Sequence, residues 1–391
     1  MIQEQKYGDW SMGIHQRLSS KRIPFSGSIE VTRRCNNKCL HCYNNLSAGD
    51  SKAIEKELTV HEYRRIIDEI VDAGCLWLLL TGGEIFIRKD FFDIYSYARH
   101  KGVLITLFTN GTLIGSEIAD QLTQLPPFSI EITIYGHTKA TYEAITKSPG
   151  SYDRCINGIN LLMDRNLPLK LKTMAITRNH HQINEMKRFV EESFGLEFKF
   201  DAMINPRLDC SQSPLDVRLT PAEVVELDLL YPERAAEWKQ FANRFNNRNI
   251  HPERADNLYD CGAGYNSFAI DPYGRLSVCV LSSADSYNLR KGSFQKGWHN
   301  YLAAERQKKT SRQTKCTVCR LKSMCGMCPA NSELECADSE APVDYLCQVA
   351  HLRAYVLDLP IRPHGECEYC VGGSRYLEMM ETAGGLKERF A

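Results

Sequence analysis

The segment Cys35-Asn36-Asn37-Lys38-Cys39-Leu40-His41-Cys42-Tyr43 spaces three thiols as C-x3-C-x2-C on one short loop. Three thiolates can hold three corners of a cubane iron-sulfur cluster, which normally takes four cysteines. The fourth iron is then left without a protein ligand, and an open coordination site implies chemistry. Zinc is the alternative, but structural zinc takes a closed set of four ligands, usually from two separated pairs. His41 would complete such a set only awkwardly, because it sits between two ligands on a tight loop.

The elements around the loop are those of an alternating α/β chain. Ser28 to Thr32 alternates and is β-branched, so the cysteine loop follows a first strand. Leu76-Trp77-Leu78-Leu79-Leu80-Thr81-Gly82-Gly83-Glu84 is an apolar run ending in two glycines and an acid. It reads as a strand buried on both faces, as in a parallel sheet. Helical spacing marks Leu58 to Asp72, with Thr59 as cap, and then Asp90 to His100, Ile114 to Leu125, Ser151 to Arg165 and Gln182 to Phe194. Strands are predicted at Val103 to Phe108, Ser129 to Ile134, Leu169 to Ile176 and Glu197 to Ala202. Right-handed crossovers would close six such β/α units into a parallel, partly open barrel. Parallel α/β folds bind ligands at the carboxyl ends of their strands, where the cysteine loop, Gly82-Gly83-Glu84 and Asn110-Gly111 all fall.

A cysteine loop after the first strand, paired with Gly-Gly-Glu at the end of the second, resembles the radical S-adenosylmethionine (SAM) superfamily. The resemblance implies a [4Fe-4S] cluster on Cys35, Cys39 and Cys42, with SAM chelating the unique iron. It implies reductive cleavage of SAM to a 5'-deoxyadenosyl radical that removes hydrogen from an unactivated C-H. Tyr43 matches the family aromatic beside the adenine, and Gly82, Gly83 and Glu84 match the element that receives the methionine amino group. Glu131 and Thr133 share one strand face and fall where relatives hold the ribose and carboxylate; the alternative is that one of them faces solvent. Asn110 and Asn179 are read either as ligand contacts or as turn and cap residues.

A second cysteine system lies in the last third: Cys261, Gly274 and Cys279, then Cys316-x2-Cys319-x5-Cys325-x2-Cys328, and Cys347. This resembles the SPASM extension of radical SAM enzymes, a small cysteine-rich α+β domain that binds two auxiliary [4Fe-4S] clusters. The resemblance assigns Cys316, Cys319, Cys325 and Cys347 to an outer cluster and Cys261, Cys279 and Cys328 to an inner one. Two departures stand out: two residues rather than three separate Cys325 from Cys328, and no cysteine lies just before Cys261. The inner cluster is therefore either open at one iron or completed by Cys210, Cys336 or a tail cysteine. Zinc remains the alternative for these C-x2-C pairs. The tail pair Cys367 and Cys370 is read as an extra ligand pair or an unassigned one, and Cys75 and Cys155 as small buried hydrophobes.

Length and composition fit a cofactor enzyme. The chain has 391 residues, more than one typical domain. Its 48 basic and 48 acidic residues cancel, so no global field attracts nucleic acid or an anionic membrane. No apolar run approaches a bilayer span of roughly 20 residues, and the polar start lacks a signal-peptide core. Sixteen cysteines without an export signal point to metal ligands in a reducing, cytoplasmic compartment. The expected organisation is an N-terminal segment (1–26), a radical SAM core (27–219), a helical linker (220–260), a SPASM domain (261–360) and a tail (361–391).

SPASM relatives that this chain resembles oxidise or cross-link peptides, many of them ribosomally made, so a peptide substrate is the first expectation. No room exists in residues 1–26 for a winged-helix recognition domain; a separate recognition protein is expected, with Tyr7 and Trp10 as apolar anchors. A flavodoxin or ferredoxin-type reductant is implied. The alternatives are a dehydrogenase or decarboxylase acting on a small molecule or tetrapyrrole side chain, and a non-catalytic iron-sulfur or zinc scaffold.

Overall fold

A computed structural model describes residues 13–14, 17–18, 21–246, 257–259, 261–282, 285–319 and 321–390. Tyr7 and Trp10 lie outside them. The described residues form two compact units. The first takes in the chain to Met174 with His181–Asp201 and Cys261–Arg306, and the second Ala175–His180, Ala202–Asp260 and Gln307–Ala391.

In the first unit, β1 (Ser26–Thr32), β4 (Trp77–Gly82), β5 (Leu104–Thr109), β6 (Ser129–Thr133), β7 (Leu169–Met174) and β8 (Phe198–Asp201) pair in parallel and in sequence order. These are the six expected strands, alternating with helices as a partial (β/α)6 barrel. The period-2 pattern is clear on β6, where Ile130 and Ile132 are fully buried while Glu131 and Thr133 are half-buried. Phe108 on β5 and Lys172 on β7 stand beside Glu131 and Thr133 in register. One sheet face is therefore sealed and the other is polar and partly open. The apolar run of β4 departs from expectation: Leu78 and Leu80 are buried, but Trp77 and Leu79 are half-buried, because they point to the more open face.

Local sequence accounts for the helices. In α2 (Val60–Asp72) the capping box Thr59/Glu62 satisfies two N-terminal donors, and Tyr63, Ile66, Ile67 and Ile70 bury one stripe. Two helices escape the periodicity reading because they are short: α1 (Ser51–Lys56), capped by Asp50, and α5 (Lys139–Thr146), capped by Thr138. The remaining expected helices are α3 (Phe91–His100), α4 (Ser116–Gln124), α6 (Ser151–Met163) and α7 (Ile183–Phe194).

The span 261–360 is divided between the units. Strand β9 (Ser267–Ile270) pairs in parallel with β1, opposite β4, and the antiparallel β10 (Arg275–Ser277) and β11 (Tyr287–Asn288) follow, making a nine-stranded sheet. The second unit is mainly helical: α8 (Pro221–Leu229), α9 (Pro232–Asn246), α10 (Pro329–Cys336), α11 (Asp344–Val356) and α12 (Tyr376–Phe390). Its buried Asp228 accepts hydrogen bonds from Arg353, Arg234 and Trp238. No helix among the described residues is long and apolar enough to cross a membrane.

A buried ionic network lies directly before the cysteine loop. Glu57 accepts from Arg34 at 2.9 and 3.0 Å, from Arg88 at 3.5 Å and from the Thr32 hydroxyl. Arg88 also donates to the carbonyls of Val31 and Leu58 and to Asp90. Arg34 reaches across to Ala48 O, beyond the far end of the loop. Removing one partner of a buried ion pair strands the others. Glu57→Ala is therefore expected to cost about 3–5 kcal/mol in denaturant unfolding of the metal-free protein. Asp153→Ala, which removes an exposed partner of Lys139, is expected to leave the unfolding midpoint close to that of the wild type.

Candidate active site

The cysteine loop is held at both ends and underneath. Strands β2 (Arg34–Cys35) and β3 (Leu46–Ser47) pair in parallel and close its base. Lys38 N–H donates to Thr146 O at 2.8 Å and Leu40 N–H to Ile145 O at 3.1 Å, so the loop rests on the end of α5. The Asn110 side chain donates to Asn36 Oδ1 at 2.9 Å and stands 3.6 Å from Cys35 Sγ, while Asn36 donates to Thr112 Oγ1 at 2.7 Å. Asn110 thus reaches the cysteine loop from the end of β5. Asn36 and Thr112, which complete this link, carry no sequence signal beyond the polarity of the turn.

Gly82 and Gly83 bring the end of β4 onto the backbone that enters the loop. Gly83 N–H donates to Thr32 O at 2.8 Å and Glu84 N–H to Arg34 O at 2.9 Å. A Cβ on Gly82, whose φ is +147°, would lie 2.1 Å from Thr32 O, and one on Gly83 2.3 Å from Arg34 O. What approaches these glycines most closely is the protein's own chain.

Glu84 is fully buried and joins two strand ends. Its Oε1 accepts from the Thr109 hydroxyl at 2.7 Å and from Phe86 N–H at 3.3 Å, and its Oε2 accepts from Asn110 N–H at 2.7 Å. Burial outweighs these three bonds and pushes the carboxyl up to about 7.

The thiols suit a cationic cluster. Burial, followed by the Glu84 charge, pushes Cys35 up to about 12, with N–H donors from Asn37 and Asn110 opposing. Cys39 is pushed up by burial and then by Cys42 and Cys35, with the Tyr135 hydroxyl hydrogen-bonded to it. Positive charge from bound metal would oppose these influences and turn the thiols into thiolates. The loop also holds buried polar atoms without partners, namely both ends of the Asn37 amide and His41 Nδ1. Such atoms call for a group that completes their surroundings. His41 packs 5.0 Å from the Tyr135 ring, and burial lowers its imidazole to about 4, keeping it neutral.

The other expected residues fall as follows. The Tyr43 hydroxyl donates to Glu30 Oε1 at 3.2 Å, and Glu30, itself buried, is also held by Asn44 and Arg33. Burial raises the Glu30 carboxyl, with Arg33 opposing. Glu131 pairs with Lys172 at 2.8 Å on the half-open sheet face, and burial lowers Lys172 despite that partner. Thr133 lies on the same face. Asn179 belongs to the second unit, where its buried side chain accepts from Ile176 N–H at 2.8 Å in a turn. Cys75 and Cys155 are buried.

In the second unit, Cys316, Cys319, Cys325 and Cys347 come together. The Cys316 and Cys347 thiols are hydrogen-bonded, and Cys319 and Cys325 both act on Cys316. Leu321 N–H donates to Cys319 Sγ at 3.3 Å and Met327 N–H to Cys325 Sγ at 3.2 Å. Cys328 caps α10, its sulfur accepting from Asn331 N–H at 3.4 Å. Cys210 and Cys336 are exposed in this unit, whereas Cys261 and Cys279 belong to the first.

Comparison with known proteins agrees with this geometry. Residues 29–190 match the family model described as "Radical SAM superfamily", and the chain carries that domain. It is 24% identical over 323 residues to the AdoMet-dependent heme synthase of Methanosarcina barkeri (strain Fusaro / DSM 804), covering 78% of this chain and 90% of that protein. It is also 24% identical over 269 residues to the "Antilisterial bacteriocin subtilosin biosynthesis protein AlbA" of Bacillus subtilis (strain 168), covering 66% of this chain but only 55% of AlbA. The crystal structure of Streptococcus suis SuiB bound to precursor peptide SuiA shares the fold, with a TM-score of 0.64 and 15% identity over 89% of this chain and 82% of SuiB. Radical SAM proteins bind a [4Fe-4S] cluster and SAM, and the cysteine-rich C-terminal region fits a SPASM extension.

The glycine contacts can be tested without substrate. Gly83→Ala is expected to keep the helix content of the wild type and its C-terminal iron, yet to lose roughly the four irons of one cubane cluster. Anaerobic reconstitution followed by iron analysis and circular dichroism measures both.

Proposed function

We propose that this chain is a radical SAM oxidoreductase that reductively cleaves SAM and oxidatively modifies or cross-links a peptide. The observation that carries the chemistry is the three-thiol loop at the carboxyl end of β1, locked to Gly82-Gly83-Glu84 at the end of β4. Similarity to AlbA and the fold shared with peptide-bound SuiB support a peptide substrate.

A [4Fe-4S] cluster with SAM supplies one-electron cleavage of the sulfur–C5' bond and a radical that abstracts hydrogen. Cys35, Cys39 and Cys42 would hold that cluster and leave one iron open. Gly82 and Gly83 set the distance between β4 and the loop, and Glu84 and Asn110 fix the loop to β5. Their part toward the methionine end of SAM rests on this position. Tyr43, held by Glu30, would border the adenine, and Glu131 and Thr133 would face the ribose and carboxylate from the half-open sheet face. Asn179 would act through the turn it closes.

The C-terminal cysteines would bind auxiliary iron-sulfur clusters, with Cys316, Cys319, Cys325 and Cys347 holding one of them. A flavodoxin or ferredoxin would deliver electrons, a separate small protein would present the peptide, and the chain would work in the cytoplasm.

A second reading keeps the chemistry and changes the substrate to a small molecule or tetrapyrrole side chain. The heme synthase match, which spans 90% of that relative, favours it. The two readings separate when the reduced enzyme is incubated with SAM and the short peptides encoded near its gene. Mass spectrometry is expected to show loss of two hydrogens or a cross-link in one peptide. Deoxyadenosine formation that ignores every peptide but rises with a small metabolite would replace the first reading with the second.

A further inference from the structure

Four side chains in the second unit converge beside the outer-cluster cysteines: His351 on α11, and His364, Cys367 and Cys370 in the segment that follows. In sequence they read H-x12-H-x2-C-x2-C. All four are buried, with exposures of 1%, 7%, 5% and 3%, and their ligand atoms lie within 4.8 Å of one another. We propose that these four residues bind one zinc ion in a closed Cys2His2 site that anchors the C-terminal tail to α11.

The distances fit one tetrahedral ion. Zinc–sulfur bonds of about 2.3 Å and zinc–nitrogen bonds of about 2.0 Å, at the tetrahedral angle, place sulfur and nitrogen about 3.5 Å apart. His351 Nε2 stands 3.4 Å from Cys367 Sγ and 3.6 Å from Cys370 Sγ, and His364 Nδ1 stands 3.5 Å from Cys370 Sγ. A two-iron cluster with mixed ligands puts its histidine pair and cysteine pair on different irons. That arrangement does not bring one imidazole nitrogen this close to both sulfurs.

The surroundings also select the ligand nitrogen. His351 Nδ1 lies 2.8 Å from the Cys347 carbonyl, and an N–H there fixes the tautomer whose Nε2 lone pair faces the two sulfurs. His364 Nδ1 faces both Cys370 Sγ and, at 3.1 Å, Arg362 O, so coordination by that atom replaces its proton and gives up the carbonyl contact, while the ring also hydrogen-bonds Cys319 and Cys367. The two imidazoles stack with centroids 5.5 Å apart. Around the sulfurs, Val225, Leu352, Val356, Met379 and Leu386 form an apolar cluster with Cys367 and Cys370. Four buried protein ligands under an apolar shell form the closed set of a structural site, not the open set of a catalytic one. The ligand set comes from within the second unit, so the site does not depend on the core cysteine loop.

The full-length enzyme, purified anaerobically with its iron-sulfur clusters, is the material for the test. Elemental analysis is expected to find about one zinc per chain, and zinc X-ray absorption a shell of two sulfurs near 2.3 Å and two nitrogens near 2.0–2.1 Å. The double variant Cys367→Ser/Cys370→Ser is expected to lose zinc at least tenfold. If that variant does not fold, the wild-type absorption spectrum still decides. Wild-type zinc below about a tenth per chain, a four-sulfur shell, or zinc retained by the double variant would each overturn the proposal. Failure of SAM cleavage would leave it standing, since it rests on separate residues.

Discussion

The carbonyls of Thr32, Arg33 and Arg34 press so closely on Gly82 and Gly83 that a methyl group on either glycine would fall inside 3 Å of backbone. The other contacts of the candidate site depend on this approach. It sets where the chain leaves β1 and hence where Cys35 begins the loop, and it carries Glu84 to the end of β5. There a single buried carboxylate accepts bonds from Thr109, Phe86 and Asn110, and Asn110 returns a contact to Cys35 and Asn36. A backbone-to-backbone contact in a close-packed interior has almost no slack, so this contact restrains the position of the loop.

Buried charge completes the restraint. The Arg34–Glu57–Arg88 network lies next to Cys35, and every charged group in it has partners. Such networks contribute little net stability compared with apolar residues of the same shape, but breaking one is costly. Here the network ties the loop to β1, α1 and the turn after β4, so the entry of the loop is fixed by ionic as well as steric means. The thiols themselves face a different situation. Burial and their mutual repulsion push Cys35 and Cys39 up, a state that bound metal would relieve.

The β/α rhythm, the cysteine loop and Gly-Gly-Glu were legible in the sequence because each is a local pattern: periodicity, spacing and turn chemistry. The grouping of Cys316, Cys319, Cys325 and Cys347 followed from resemblance alone; in the structure the Cys316 and Cys347 thiols are hydrogen-bonded, and Cys319 and Cys325 act on Cys316. Short helices were not legible, since α1 and α5 are too brief to show a period, although α5 supports the cysteine loop. Nor was β9 legible as a partner of β1, because a pairing between residues 26–29 and 267–270 leaves no mark on either segment alone. His351 and His364 were missed for the same reason. The pair Cys367 and Cys370 stood out by spacing, but His351 sits inside a helix and looks like an ordinary buried histidine until the tail folds against it.

The central claim is that Cys35, Cys39 and Cys42 form a SAM-cleaving centre distinct from the C-terminal cysteines. The most direct measurement is the amount of 5'-deoxyadenosine formed from SAM under dithionite by the reconstituted wild type and by Cys35→Ala/Cys39→Ala/Cys42→Ala. The wild type should form it, and the triple variant should form none while retaining its C-terminal iron. Deoxyadenosine made by the triple variant, or none made by a fully loaded wild type, would contradict the account.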